Sequence, residues 1–119
     1  MAKILIADDS AFMRKMVRNT LEKLGHKDII EVANGQEALD KYKSDKPDLV
    51  LLDIIMPDIG GIDVLRSIFK IDKDAKVIMV TAVGQDAMVE ECNQLGAKGY
   101  IIKPFDEKKI AEAISNVLK

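Results

Sequence analysis

A chain of 119 residues, 48% apolar and 32% charged, has the length of one domain and the balance of an ordinary globular protein; a single domain over 1–119 without an output module is expected, and disordered classes are excluded. The formal net charge of −2, with no basic run and no interleaving of basic and aromatic residues, argues against a nucleic-acid surface. The longest apolar runs, "LVLLD" and "VIMVTAV", are strand-sized against the roughly 20 residues of a bilayer span, and only Ile4 to Ala7 separate Lys3 from Asp8, too little for a signal peptide, so a cytoplasmic location without membrane insertion is expected.

Short apolar runs of β type alternate five times with longer amphipathic ones, with no linker rich in Pro, Gly or Ser, which is the pattern of an α/β fold. Lys3 to Ala7 reads as the first strand, and it runs straight into Asp8 and Asp9 in the stretch "ILIADDS". Two carboxylates side by side at the mouth of a buried strand repel each other and lose hydration unless something positive lies nearby. Phe12, Met13, Met16, Val17, Thr20, Leu21 and Leu24 then recur at helical spacing, predicting an amphipathic helix that stops at Gly25. Ile29 to Ala33 is a second strand, and "NG" at Asn34 and Gly35 turns the chain into a helix carrying Ala38, Leu39 and Tyr42.

Pro47 and Asp48 open the third strand, Leu49 to Asp53, which is apolar at every position but its last, as suits a central parallel strand buried on both faces. After "IMPDIGG" a helix carries Ile62, Leu65, Ile68 and Phe69. "KVIMVTA" is a fourth strand ending at Thr81, followed by a helix with Met88, Cys92 and Leu95. "GYIIK" is the fifth strand, and Ile110, Ala113, Ile114, Val117 and Leu118 mark the closing helix. The lone Cys92 falls at apolar helical spacing and reads as core packing; His26, without a Cys or His partner at metal spacing, reads as a solvated loop residue.

Right-handed crossovers put helices on both faces of such a sheet, and ligands of open parallel sheets sit outside the strand C-termini. The residues ending the strands are Asp8 and Asp9, Asp53, Thr81 and Lys103. Three carboxylates in a small crevice suit a hard divalent cation, Mg²⁺ above all, and Lys103 adds a fixed positive charge. A metal, an ammonium and a strand-end hydroxyl together suit a phosphoryl group, with Asp53 as the carboxylate nucleophile. Each residue also has a plain reading: an acidic pair at a helix start favoured by the macrodipole, a helix cap at Ser10, a β-branched strand residue, a Lys-Pro turn. Their convergence at one end of four strands favours the site.

"ADD" after strand one, "LLDIIMPDIGG" around strand three, "VTA" after strand four and "KPF" after strand five, in this order over the whole chain, resemble the receiver domain of two-component response regulators. The resemblance implies a doubly wound (βα)5, flavodoxin-like fold with a five-stranded parallel sheet ordered 2-1-3-4-5, an order that the sequence does not reveal by itself. It also implies that Asp53 is phosphorylated by a histidine kinase, with Mg²⁺ held by Asp8, Asp9, Asp53 and the backbone carbonyl of Ile55. Lys103, Thr81 and the backbone amide of Ala82 would contact the phosphoryl group, the Lys103-Pro104 peptide would be cis, and Thr81 and Tyr100 would form the switch. From its residues alone, Tyr100 reads as an aromatic half-packed on a strand with its hydroxyl in solvent.

The stretches "SAFMRKM", "GGIDVLRSIFKIDKDAK" and "AVGQDAMVEECNQLGAKGYIIKPF" resemble stand-alone chemotaxis receivers. That implies a CheA-like kinase, a flagellar FliM-like switch protein or an archaeal adaptor as target, a monomeric state, and no enzymatic role beyond the protein's own phosphorylation and dephosphorylation. Ile55 and Val83 depart from the polar side chains that many relatives carry there, so self-hydrolysis should be modulated and a separate phosphatase is a possible partner. A relay receiver passing phosphate to another histidine, a small-phosphate aspartyl phosphatase, and a non-catalytic Mg²⁺ module remain open alternatives at this stage.

Overall fold

The computed structural model describes residues 2–118. Along the chain lie β1 (Lys3–Ala7), α1 (Ala11–Lys23), β2 (Asp28–Val32), α2 (Gly35–Asp45), β3 (Leu49–Leu52), α3 (Gly61–Ile71), β4 (Val77–Thr81), α4 (Asp86–Leu95), β5 (Gly99–Ile102) and α5 (Glu107–Val117). The strands form one parallel sheet in the order β2-β1-β3-β4-β5. Every residue of β3 and β4 is buried, as their unbroken apolar runs require when helices cover both faces.

Because successive strand residues point to opposite faces, each strand feeds two cores. Leu5, Val50, Leu52, Val77 and Met79 pack under α2, α3 and α4 against Ala38, Leu65, Ile68 and Cys92. Ile4, Ile6, Leu49, Leu51, Ile78 and Val80 face Val17 and Leu21 of α1 and Ile110 and Ile114 of α5. A side chain such as Leu51, 2% exposed, contributes about 1.5–3 kcal/mol by leaving water. Among the described residues no helix is long and apolar enough to cross a membrane.

The helix ends follow local chemistry. Ser10 Oγ accepts from the Met13 amide at 3.2 Å and caps α1, whose C-cap Leu24 is followed by Gly25 in the left-handed region (φ 93°). Asn34 Oδ1 accepts from the Glu37 amide at 2.9 Å and caps α2, as the "NG" pair suggests.

Three expectations shift. Strands β2, β3 and β5 end one residue early, β2 also beginning one residue early at Asp28, so Ala33, Asp53 and Lys103 stand just beyond the sheet. The apolar stripe of α1 is wider than the surface it covers: Val17, Thr20 and Leu21 are buried, while Phe12, in the first turn past the strand ends, is 71% exposed and Met16 and Leu24 are exposed too. His26 is half-buried rather than solvated, in a depression with Leu24, Ala111, Ile114 and Leu118.

Candidate functional site

The ladder carries the strand-end residues to one place. Ala7 pairs with Leu52, so Asp8 and Asp53 follow side by side, and the Asp53 amide donates to the Ala7 carbonyl at 3.0 Å. Thr81 pairs with Ile102, and the Lys103 amide donates to the Thr81 carbonyl at 2.8 Å. Asp8 and Asp53 are each 5% exposed, Thr81 is fully buried, and Asp9 is exposed.

Lys103 Nζ lies between the two buried carboxylates, 2.6 Å from Asp8 Oδ2 and 2.8 Å from Asp53 Oδ2. The second oxygen of each aspartate turns back on its own chain: Asp8 Oδ1 accepts from the Ser10 amide at 2.9 Å and Asp53 Oδ1 from the Ile55 amide at 3.2 Å. Burial alone would push the Lys103 ammonium down, but hydrogen bonds to Asp53 and Asp8 outweigh it and hold it above the ordinary lysine value. The positive partner of the acidic end is therefore, in part, a lysine.

One ammonium does not balance the site. Asp8, Asp9 and Asp53 each offer a carboxylate oxygen within 4.8 Å of the others, so three carboxylates against one ammonium leave two formal negative charges. The donor set is oxygen only, and it fits a hard divalent cation such as Mg²⁺.

The "IMPDIGG" loop shapes the crevice. Gly61 passes so close to the strand end that a Cβ there would lie 2.1 Å from the Asp53 carbonyl oxygen, and its amide donates to the Ile54 carbonyl at 2.7 Å. Asp58, not singled out by the sequence, clamps the loop to the start of α2: its carboxylate accepts from the Gly35 amide at 2.7 Å and the Gln36 amide at 2.9 Å. These bonds, the Gln36 amide first, hold its carboxyl below the usual carboxylate range. In the sequence, the signal for this contact is an acidic residue two positions before Gly60 together with the "NG" pair that opens α2.

Thr81 Oγ1 accepts from the Val83 amide at 3.4 Å, and the Tyr100 hydroxyl donates to the Val83 carbonyl. Tyr100 is half-buried against the Cys92 side of the core, so its hydroxyl is engaged with backbone rather than left in solvent. Ile55 is 57% exposed, Ala82 is exposed and Val83 is half-buried. The Lys103-Pro104 peptide is cis. Cys92 is fully buried, and burial pushes its thiol up, as befits core packing rather than reactivity.

The chain matches the response regulator receiver domain family over residues 4–115. It is 47% identical over 117 residues to the chemotaxis protein CheY of Thermotoga maritima, spanning 98% of each chain. It is also 47% identical over 116 residues to the chemotaxis protein CheY of Bacillus subtilis, spanning 98% of this chain and 97% of that one. Among solved structures, a chain of the CheX-CheY-BeF3-Mg²⁺ complex from Borrelia burgdorferi superimposes with a TM-score of 0.96 at 38% identity, covering 99% of this chain and 90% of that chain.

Proposed function

This chain belongs to the response regulator receiver domain family, and we propose that it is a switch turned on when Asp53 takes a phosphoryl group from a phosphohistidine of a partner kinase. The observation that carries the reading is the arrangement of three carboxylates around one ammonium at the strand ends. A similar chain is found in a complex that contains Mg²⁺ and BeF3, which supports Mg²⁺ as the cation here. Mg²⁺ held by Asp8, Asp9, Asp53 and the Ile55 carbonyl would supply positive charge against the phosphoryl oxygens.

The chain's own residues do the rest. An Asp53 carboxylate oxygen attacks phosphorus as the bond to the donor imidazole breaks, and the imidazole leaves with the bonding pair and takes up a proton. Lys103, already 2.8 Å from Asp53 Oδ2, exchanges that ion pair for one with a phosphoryl oxygen. The Thr81 hydroxyl and the Ala82 amide donate to the remaining oxygens. Thr81 and Tyr100 both bond the Val83 residue, one at its amide and the other at its carbonyl, so drawing Thr81 toward phosphate disturbs what Tyr100 holds. Phosphorylation thereby stabilises a minor conformer whose face of α4, β5 and α5 docks a target.

Neither Ile55 nor Val83 can orient a water by hydrogen bonding, so self-dephosphorylation is slow and a separate phosphatase resets the switch. An apolar Ile55 two residues after the nucleophile also leaves a phosphatase without its general acid. The likeness to chemotaxis CheY proteins supports a protein that serves a CheA-like kinase and a motility switch. Acetyl phosphate with Mg²⁺, followed by intact-mass spectrometry, tests the core of this reading. One stable phosphoryl adduct, absent from Asp53→Ala, is expected; catalytic release of phosphate, or an adduct that persists in Asp53→Ala, overturns it.

A further inference from the structure

Asp8 has four polar functions, and each is held. Its amide donates to the Val32 carbonyl at 3.2 Å, one carboxylate oxygen takes the Ser10 amide and the other takes Lys103. Its carbonyl, past the end of β1, accepts from Arg14 Nη1 at 2.6 Å. Arg14 sits on the first turns of α1 and reaches back six residues to make this bond.

Arg14 is itself braced. Its Nε donates to Glu31 Oε1 at 3.3 Å, and Arg18, one turn further along α1, donates through Nε to Glu31 Oε2 and through Nη2 to the Ile29 carbonyl at 3.3 Å. Glu31 belongs to β2, where it pairs in register with Ile6 of β1. The Arg14 side chain is only 17% exposed. A planar guanidinium with separate donors on Nε and Nη1 can serve a carboxylate and a carbonyl at once, which an ammonium does not do in the same geometry.

We infer that Arg14, braced by Glu31, is a positioning residue for the cation site: it fixes the Asp8 carbonyl and with it the turn that aims the Asp8 and Asp9 carboxylates. The inference rests on the cation reading given above, and its sign separates it from plain electrostatics. Arg14 is a positive charge beside an acidic crevice, so by Coulomb's law its removal should tighten Mg²⁺ binding. A positioning role demands the reverse, since loss of groups that orient metal ligands costs about 10–100-fold in affinity.

Calorimetric titration with MgCl2 should show Arg14→Met binding about tenfold more weakly than wild type. Arg14→Lys, which keeps the charge and the helix, should weaken by a similar factor. Binding unchanged or tighter in Arg14→Met, or wild-type affinity in Arg14→Lys, overturns the inference. Amide exchange in the metal-free protein gives a second readout: the Ser10 amide, held by Asp8, should exchange about tenfold faster in Arg14→Lys, while an unchanged rate contradicts the positioning role. If wild type itself takes up no Mg²⁺, the cation reading fails, and the exchange rate still decides the role of Arg14.

Discussion

At the N-terminal ends of the strands, the Lys3 amide donates to Asp48 Oδ2 at 2.7 Å and the Tyr42 hydroxyl to Asp72 Oδ2 at 3.0 Å, each acceptor with its own donor. At the C-terminal ends, two buried carboxylates share the single ammonium of Lys103 and a third, Asp9, lies within ligand distance of both. The same apolar strands run between the two ends. One end ties α2 to α3 through the Tyr42–Asp72 bond; the other gathers three carboxylates around one ammonium. Unbalanced buried charge is costly, so its presence at the C-terminal ends of the strands, among the described residues, marks that end as the candidate site.

Breaking the shared ion pair should have the largest effect. Lys103→Met leaves Asp8 and Asp53 buried without their cation, and removal of one partner of such a pair costs about 3–5 kcal/mol. Urea unfolding of the metal-free variant should show a loss at the lower end of that range, with Mg²⁺ restoring much of it; a loss that Mg²⁺ does not touch would separate the lysine from the cation site. Gly61→Ala comes next. A methyl directed at the Asp53 carbonyl oxygen 2.1 Å away meets backbone that cannot step aside, and overpacking of this kind costs about 1–3 kcal/mol. Its urea midpoint should fall, and the Asp53 amide shift should move with it.

At the N-terminal ends of the strands, Tyr42→Phe removes one hydrogen bond and leaves the Asp72 carboxylate to water, a loss of about 1 kcal/mol. Mg²⁺ affinity should not change, because the cation site draws nothing from this pair; a change would break the contrast between the ends. The smallest effect belongs to Asp58. Its carboxyl is held below the usual range by the α2 amides, so the stability it contributes is present above the unfolded carboxylate value and fades as pH falls through its lower folded value. Asp58→Asn should therefore melt below wild type at neutral pH and converge with it in acid.

The contrast was partly legible in the residues themselves. Unbroken apolar runs at Leu49–Leu52 and Val77–Thr81 announced buried parallel strands, and the polar residue closing each run announced the site, because a buried strand tolerates polarity only where it ends. What stayed hidden depends on distance rather than type. That Lys103 falls between Asp8 and Asp53, and not beside Asp9, follows from the strand order and register, which composition and spacing do not encode. The Arg14 and Asp58 contacts are hidden from the sequence in the same way: each links a helix face or helix terminus to a loop through one side chain. Periodicity places Phe12 on the apolar stripe of α1 without telling how much surface lies beneath it, and Phe12 is exposed.

Thermal melts of wild type and Asp9→Ala, each in EDTA and in Mg²⁺, test the central claim most directly. If the strand ends carry uncompensated charge that a cation completes, Asp9→Ala melts above wild type in EDTA, and Mg²⁺ raises the melting temperature of wild type but not of the variant. An Asp9→Ala variant that melts lower in EDTA, with an Mg²⁺ shift equal to that of wild type, would contradict the account and return the aspartate pair to the start of α1 as helix-end charge.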